Sequence, residues 1–178
     1  MNIVCYGDSN TYGFNPLDGG CYEKCWVDIV RENYKDDFVV NAGLNGRLAE
    51  PRQFLYDITL RQYAPIGLLV IMLGTNNVDH LEPIDHITVG LHVMLRRALS
   101  KTEHILLLAP PYLRNDQDRY QRSKELNEKL KVLANSFHAD FIDVEDVITE
   151  LAFDGIHLTQ KGHEQLGKTI VDYMKKSL

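Results

Sequence analysis

The chain alternates between short apolar runs and longer segments with helical periodicity, and this order constrains its fold more than any other feature. The apolar runs have the length of buried strands and mostly lack the alternation of half-exposed ones; they cover residues 2–6, 37–41, 67–73, 104–109 and 139–142. Between them, apolar residues recur at helical spacing in segments 21–34, 51–63, 84–99, 117–137 and 159–176. Strands that alternate with helices imply a parallel sheet covered on both faces. We therefore predict an α/β fold, a three-layer α/β/α sandwich with about five parallel strands, in a single domain over residues 1–178.

Composition and charge argue against several classes of partner. The formal net charge is −6 and the lysines and arginines are scattered, so no basic surface is expected to attract nucleic acid or an anionic membrane. The longest apolar runs, LLVIML and ILLLA, are too short to span a bilayer, and no signal peptide precedes the first predicted strand. Three cysteines without a framework spacing favour reduced thiols and a cytoplasmic protein; they are Cys5, Cys21 and Cys25.

The segments that follow the predicted strands are rich in glycine and polar residues. They read GDSNTYG after the first strand, NAGLNGR after the second, GTNN after the third and PPYLRND after the fourth, and FDGIHLT precedes the last helix. Ligands of open α/β sheets bind beyond the carboxyl ends of the strands. We therefore expect a functional site where these loops meet.

The segment GDSNTYG, residues 7–13, allows three interpretations. A phosphate-binding loop lacks support, because neither G-x-x-x-x-G-K-[ST] nor G-x-G-x-x-G occurs in the chain. A purely structural loop is common, since serine and aspartate cap helices and glycine turns the chain. In the third interpretation Ser9 is a nucleophile, which requires a base, an acid that orients the base, and an oxyanion hole.

Residues elsewhere in the chain can supply those parts. Asp154 and His157 lie three residues apart in DGIH, so the carboxylate can reach Nδ1 of the histidine and leave Nε2 free to accept the serine proton. The alternative is that the pair caps the last helix, although Thr159 stands where that cap is expected. For the oxyanion hole, Gly43 can present a backbone N–H and Asn76 a side-chain amide. No cluster with the spacing of metal ligands is visible, and Cys21 and Cys25, one helical turn apart in the predicted helix, lack two further ligands nearby.

Four of these segments together resemble the signature blocks of the SGNH family of hydrolases, also called GDSL-type esterases. GDSNTYG resembles the block of the nucleophile, NAGLNG the glycine block, GTNN the asparagine block and DGIHLTQKGH the aspartate–histidine block, in the family's order over residues 7–163. The resemblance implies a flavodoxin-like α/β/α fold and a serine hydrolase that acts on esters or thioesters without metal or cofactor. GDSNTYG together with GLNGR is most similar to the branch of arylesterases and carbohydrate acetylesterases.

In this interpretation the catalytic residues are Ser9, Asp154 and His157. The oxyanion hole consists of the Ser9 N–H, the Gly43 N–H and the Asn76 amide. The chain departs from the family pattern immediately after the nucleophile and after the asparagine, at positions that are not catalytic; many members have leucine and aspartate where this chain has Asn10 and Asn77.

Several other polar and aromatic residues fall on the same loops. We expect Asp8 to bond loop N–H groups, Arg47 to form a surface ion pair and His80 to lie on a loop surface. Aromatic side chains on these loops are candidates for an acyl or alcohol pocket, with core packing as the alternative; they are Tyr12, Phe14 and Tyr112.

The predicted function is that of a serine esterase that hydrolyses short-chain, acetyl-type esters of carbohydrates or small alcohols. Its partner is then a small-molecule acyl ester, and a homo-oligomer is compatible with the sequence. One alternative is an acyl-thioesterase or lysophospholipase with the same triad and an apolar acyl channel. The other is a catalytically silent binding module on the same fold.

Overall fold

A computed structural model describes residues 1–178 and shows a five-stranded parallel sheet between two layers of helices. The strands are β1 (Asn2–Gly7), β2 (Phe38–Gly43), β3 (Ile66–Met72), β4 (Thr102–Ala109) and β5 (Asp140–Asp143). The helices are α1 (Ser9–Tyr12), α2 (Trp26–Asn33), α3 (Phe54–Tyr63), α4 (Thr75–Asp79), α5 (Ile84–Ala98), α6 (Gln117–Ser136) and α7 (Gln160–Ser177). This architecture confirms the predicted fold class.

The central strand explains why the apolar runs lack alternation. All seven residues of β3 are buried, because helices cover the sheet on both faces and neither side of the strand meets water. One core cluster packs side chains of α3, α5 and α6 against the sheet. The other packs α2 and α7 against the opposite face, with Trp26 and Leu166 among its fully buried residues. The sheet is therefore the middle layer of three.

Strand order places the functional loops. The order is β2-β1-β3-β4-β5, and every pair is parallel. The chain winds outwards from β1 in both directions, so the loops after β1 and β3 leave the sheet at the topological switch point where such folds bind ligands. The residues that follow β1 are Asp8 and Ser9.

The last helix begins where its sequence predicts. The Thr159 hydroxyl accepts a hydrogen bond from the Gly162 N–H at 3.0 Å and caps α7. Lys175 and Lys176 lie in the last turn, where cations complement the helix dipole. The buried face of α7 holds the helix against the sheet and so fixes the loop just before it, which carries His157.

The first long helix starts later than its sequence pattern predicts. α2 begins at Trp26, and residues 13–22 instead form a turn closed by an isolated bridge between Phe14 and Cys21. Cys21 pairs with Phe14 in this bridge and the Tyr22 N–H donates to the Gly13 carbonyl at 2.8 Å, so the predicted first residues of the helix are bonded to the preceding turn instead. Cys21 and Cys25 are therefore not on successive turns of one helix; Cys21 is exposed and Cys25 buried.

No helix of the chain is both long enough and apolar enough to cross a membrane.

Candidate active site

Ser9 is held at the start of a very short helix. Asp8 precedes it in extended conformation, and its Oδ1 accepts the Asn10 N–H at 3.0 Å, which caps α1. The N–H groups of the first turn have no partner within a helix, so the N–H of Ser9 is available. Ser9 itself is 4% exposed. The expectation that Asp8 bonds loop N–H groups is confirmed.

Burial makes the Asp8 carboxyl harder to ionise. Its carboxyl is fully buried, and desolvation raises its pKa to about 6, although the hydrogen bond from Asn10 and the nearby Thr75, His157 and Arg47 act in the opposite direction. Oδ2 of this carboxyl has no hydrogen-bond partner. Asp8 is therefore a weaker acid than an exposed aspartate.

His157 is positioned by its own loop. Oδ1 of Asp154 accepts the N–H groups of Ile156 at 3.0 Å and His157 at 3.1 Å, which folds the chain back on itself. Gly155 makes this turn possible, since its φ of +68° strains any residue that carries a Cβ. The turn brings Oδ2 of Asp154 within 2.6 Å of Nδ1 of His157.

The structure brings Ser9, His157 and Asp154 into one hydrogen-bonded chain. The Ser9 Oγ lies 3.0 Å from the Nε2 of His157, across 148 residues of sequence. A carboxylate only accepts hydrogen bonds, so the Asp154 contact assigns the proton of the neutral ring to Nδ1 and leaves Nε2 as the acceptor. Partial burial raises the pKa of Asp154, but hydrogen bonds from the His157 ring and the two N–H groups outweigh it and hold the pKa below its ordinary value.

Gly43 lies against the backbone that carries the nucleophile. A Cβ at this position would meet Tyr12 N at 2.2 Å and Tyr12 Cα at 2.6 Å, so only glycine allows β2 and α1 to approach so closely. Its N–H donates to Asn41 Oδ1 at 2.9 Å. The predicted oxyanion donor thus already has one partner in the protein.

Asn76 stands at the beginning of α4, directly after β3. One hydrogen of its amide is donated to the Arg47 carbonyl at 3.0 Å, which fixes the amide plane, and the other has no protein partner. A fixed amide with a free N–H is suited to stabilise a developing negative charge.

The contacts of the Arg47 side chain differ from the surface ion pair that the sequence predicts. No carboxylate forms an ion pair with it; its guanidinium stacks on the Tyr6 ring at 3.9 Å and donates to the carbonyl groups of Gly7, at 2.7 Å, and Ala42. Burial lowers the pKa of this group, opposed by the Tyr6 and Asp8 charges. The prediction of a surface ion pair is wrong because the loop after β2 directs the Arg47 side chain onto the ends of β1 and β2.

The three aromatic candidates have different environments. The Phe14 ring lies 4.8 Å from the His157 ring, so it borders the reacting groups. Tyr12 is 41% exposed. The Tyr112 ring packs edge-on against the Tyr120 ring, with 5.6 Å between the ring centroids, so aromatic packing explains the position of Tyr112.

Two buried asparagines acquire roles that the sequence did not reveal. Asn77 binds the backbone of Ala49, accepting its N–H at 2.8 Å, and donates to Glu82 Oε2 at 2.9 Å. Asn10 binds the backbone on both sides of His157. The available signal was the departure from the family pattern at these two positions, where a polar side chain replaces a leucine or a neutral one replaces an aspartate.

The other histidines lie apart from the hydrogen-bonded chain. His80 is exposed at the end of α4, as expected. His163 is completely buried between α2 and α7; its Nδ1 accepts the Trp26 N–H at 3.4 Å and its Nε2 has no partner. Burial lowers the pKa of His163 to about 4, with Asp28 acting in the opposite direction. No group of three or more His, Cys, Asp or Glu side chains is placed to hold a metal ion.

An α/β sandwich with serine, histidine and aspartate in one hydrogen-bonded chain at the carboxyl edge of its sheet is the arrangement of a serine hydrolase. The chain belongs to the GDSL-like lipase/acylhydrolase family, whose family model matches residues 5–165. The resemblance seen in the sequence is thereby confirmed. A sequence comparison with curated proteins gives no significant match.

Solved structures with the same fold include several esterases. A carbohydrate acetylesterase from Sinorhizobium meliloti has 23% identity and a TM-score of 0.88, and each chain covers 100% of the other. The aryl esterase of M. smegmatis has 22% identity and a TM-score of 0.86, again with full coverage of both chains. A lipolytic G-D-S-L family protein from Veillonella parvula has 20% identity, a TM-score of 0.82 and 99% coverage of both chains. At these identities the likeness establishes the common fold.

Proposed function

We propose that the chain hydrolyses short-chain, acetyl-type esters of carbohydrates or small alcohols through an acyl-enzyme on Ser9. One observation carries the proposal: the continuous contact from Ser9 Oγ to His157 Nε2 at 3.0 Å and from His157 Nδ1 to Asp154 Oδ2 at 2.6 Å. A serine hydroxyl is a weak nucleophile unless a base removes its proton during attack. The contact between His157 Nε2 and the Ser9 hydroxyl supports this role for His157.

In the first half-reaction the Ser9 Oγ attacks the ester carbonyl carbon while its proton passes to His157 Nε2. The carbonyl oxygen becomes an oxyanion, which the Ser9 N–H, the Gly43 N–H and the free N–H of Asn76 stabilise. The imidazolium then gives its proton to the alcohol oxygen as the carbon–oxygen bond breaks, and the acyl group stays on Ser9. Asp154 stabilises the imidazolium and holds the ring in place.

The proposed role of Gly43 requires a shared hydrogen. Its N–H donates to Asn41 Oδ1 in the free protein, so we propose a three-centre hydrogen bond in which the oxyanion becomes the second acceptor. The developing charge makes the oxyanion the stronger acceptor of the two.

The second half-reaction repeats the chemistry with water. His157 accepts a proton from water as its oxygen attacks the acyl carbon, and a second oxyanion forms in the same place. Its collapse breaks the bond to Ser9, whose Oγ recovers the proton from His157. The products are a carboxylic acid and free enzyme.

Two features support a short acyl group. The chain shares its fold over the full length of both chains with a carbohydrate acetylesterase from Sinorhizobium meliloti. The longest loops at the carboxyl edge are residues 13–25, 44–53 and 147–159, and the first is folded back by the bridge between Phe14 and Cys21. Each methylene left in water forgoes about 0.8 kcal/mol of burial, so longer chains gain little binding energy.

The test is kcat/KM for aryl esters of increasing acyl length, followed by acetylated sugars, with Ser9→Ala as the blank. We expect acetyl or similarly short esters to be preferred over octanoyl. A steady rise in kcat/KM out to eight carbons or beyond would reveal an apolar channel and favour the thioesterase or lysophospholipase alternative instead.

A further inference from the structure

Asn10, the residue after the nucleophile, has all of its polar groups bonded within the protein. Its side-chain Oδ1 accepts the Leu158 N–H at 2.8 Å, and its Nδ2 donates to the Ile156 carbonyl at 3.3 Å. Its backbone N–H donates to Asp8 Oδ1, and its carbonyl accepts Trp26 Nε1–H at 3.0 Å. Asn10 is only 1% exposed. The two groups that its side chain binds belong to the residues immediately before and after His157.

This arrangement joins the loop that carries Ser9 directly to the loop that carries His157. Asp154 orients the His157 ring from within the same turn, so it does not set the distance from that ring to Ser9. Besides the contact between Ser9 and His157 themselves, the two bonds of the Asn10 side chain are the hydrogen bonds that join residues 7–14 to residues 152–159. The separation between nucleophile and base therefore depends on these two hydrogen bonds as well as on the packing of α7 and the contact between the Phe14 and His157 rings.

We propose that Asn10 is a positioning residue that fixes His157 relative to Ser9 by clamping the backbone on both sides of the histidine. The proposal rests on the function proposed above for Ser9 and His157. The Asn10 side chain makes no hydrogen bond to the Ser9 hydroxyl or to the His157 ring; it acts through the backbone of Ile156 and Leu158. A leucine of similar size, which many family members carry here, provides neither the donor nor the acceptor.

Trp26 supports the clamp from the other side. Its indole N–H holds the Asn10 carbonyl, and its backbone N–H donates to His163 in α7, the helix that follows His157 directly. These bonds involve no side-chain atom of Asn10. A substitution of Asn10 therefore removes the clamp and leaves the capped helix α1 and the Trp26 contact available.

The test compares Asn10→Leu with the wild type and with Asn127→Leu. Asn127 is a matched control, since it is also buried and its Nδ2 binds a backbone carbonyl, that of Pro110, at 2.9 Å, as well as Asp143. Three quantities are measured: kcat and KM for an aryl acetate, the rate at which a fluorophosphonate labels Ser9, and the downfield proton resonance of the His157 Nδ1–H.

We expect Asn10→Leu to lower kcat and the labelling rate by about 10²-fold, because a misplacement near 1 Å has an effect of this size. KM is expected to change far less, and the Nδ1–H resonance to persist, because Asp154 still binds the ring. Asn127→Leu is expected to lower thermal stability and to leave the labelling rate of the folded protein unchanged. A merely structural role for Asn10 predicts the same behaviour for both variants.

A second variant keeps the test decisive if Asn10→Leu does not fold. Asn10→Asp retains the acceptor for Leu158 and loses the donor to Ile156, so we expect its labelling rate to fall below that of the wild type by a smaller factor. Labelling of the folded Asn10 variant at the wild-type rate, or an equal loss in Asn127→Leu, overturns the positioning role. Failure of the wild-type Ser9 to react with the probe would instead overturn the proposed function.

Discussion

At the scale of single residues, two carboxylates near the serine–histidine pair have opposite environments. Asp154 accepts three hydrogen bonds, from the His157 ring and two backbone N–H groups, and its pKa stays below the ordinary value. Asp8 is fully buried with one unpartnered oxygen, and desolvation raises its pKa to about 6. Asp154 is therefore an anion throughout the neutral range, as a partner of an imidazolium must be.

The first prediction concerns Ser9. A fluorophosphonate probe is expected to label Ser9 alone, because only this hydroxyl contacts a histidine, and Ser9→Ala is expected to lose about 10³-fold or more in kcat. Peptide mass spectrometry after labelling locates the modified residue. Label on another serine would contradict the assignment; the others are Ser100, Ser123, Ser136 and Ser177.

The second prediction concerns the base. His157→Ala is expected to lose most of the activity, whereas His80→Ala, at an exposed position, retains it. Activity is also expected to fall at acidic pH, since a protonated imidazole cannot accept the serine proton. The Asp154 pKa is already depressed, so this carboxylate does not cause the fall. Equal losses in the two variants would place the base elsewhere.

At the scale of elements, the contact between β2 and α1 leaves no room for a side chain at Gly43. A Cβ there would meet Tyr12 N at 2.2 Å, so Gly43→Ala must displace the helix that carries Ser9. We expect a loss of about 1–3 kcal/mol in the free energy of unfolding and a slower reaction of Ser9 with the probe.

Urea unfolding and labelling rates measure these effects. Gly20→Ala is the matched control, because a Cβ at Gly20 meets only the exposed Asp18 side chain, at 3.2 Å. Wild-type stability in Gly43→Ala would show that α1 accommodates the methyl group without strain.

The packing of α2 on α7 predicts a dependence of stability on pH. Burial disfavours the charged form of His163 and lowers its pKa from 6.5 to about 4 in the folded protein. Between these values the unfolded chain holds the proton and the folded chain does not, so stability falls as the pH falls from 6.5 towards 4. Asp8 acts oppositely, since its raised pKa makes the folded protein the stronger proton acceptor between 3.8 and about 6.

Substitution isolates the histidine contribution. His163→Asn provides an oxygen for the Trp26 N–H and removes the titration. The destabilisation it causes is expected to be about 2 kcal/mol smaller at pH 5 than at pH 7.5, because the wild type has lost this much at the lower pH. Urea unfolding at both pH values measures the difference. A destabilisation independent of pH would show that His163 titrates normally in the folded protein.

At the scale of the whole molecule, the reaction proposed here uses only side chains and backbone groups of the chain. Dialysis against a strong chelator is accordingly expected to leave kcat/KM unchanged, as no cluster of metal ligands is present. The measurement is the rate of aryl acetate hydrolysis before and after dialysis. A loss that zinc or manganese restores would require a different mechanism.

The sequence by itself determined the order of the strands and of the five longer helices, because burial on both faces of a sheet and on one face of a helix leaves a local periodicity; the short helices α1 and α4 lie in segments that it predicted as loops. The unalternating run of β3 and the apolar spacing of α7 show this directly. It also determined which residues are candidates for the site. Asp154 and His157 are close in sequence, so a turn brings them together, and the loops after parallel strands share one edge.

Only the tertiary structure decided how the parts meet. Ser9 and His157 are 148 residues apart in sequence. The distance between their side chains depends on the packing of α7 and on the Asn10 clamp, and neither produces a pattern in the local sequence. The stacking of Arg47 on Tyr6 replaced the expected ion pair for the same reason. Periodicity records whether a side chain is buried, whereas its partners are set by chain segments distant in sequence, and those contacts exist only once the sheet and its helices have packed.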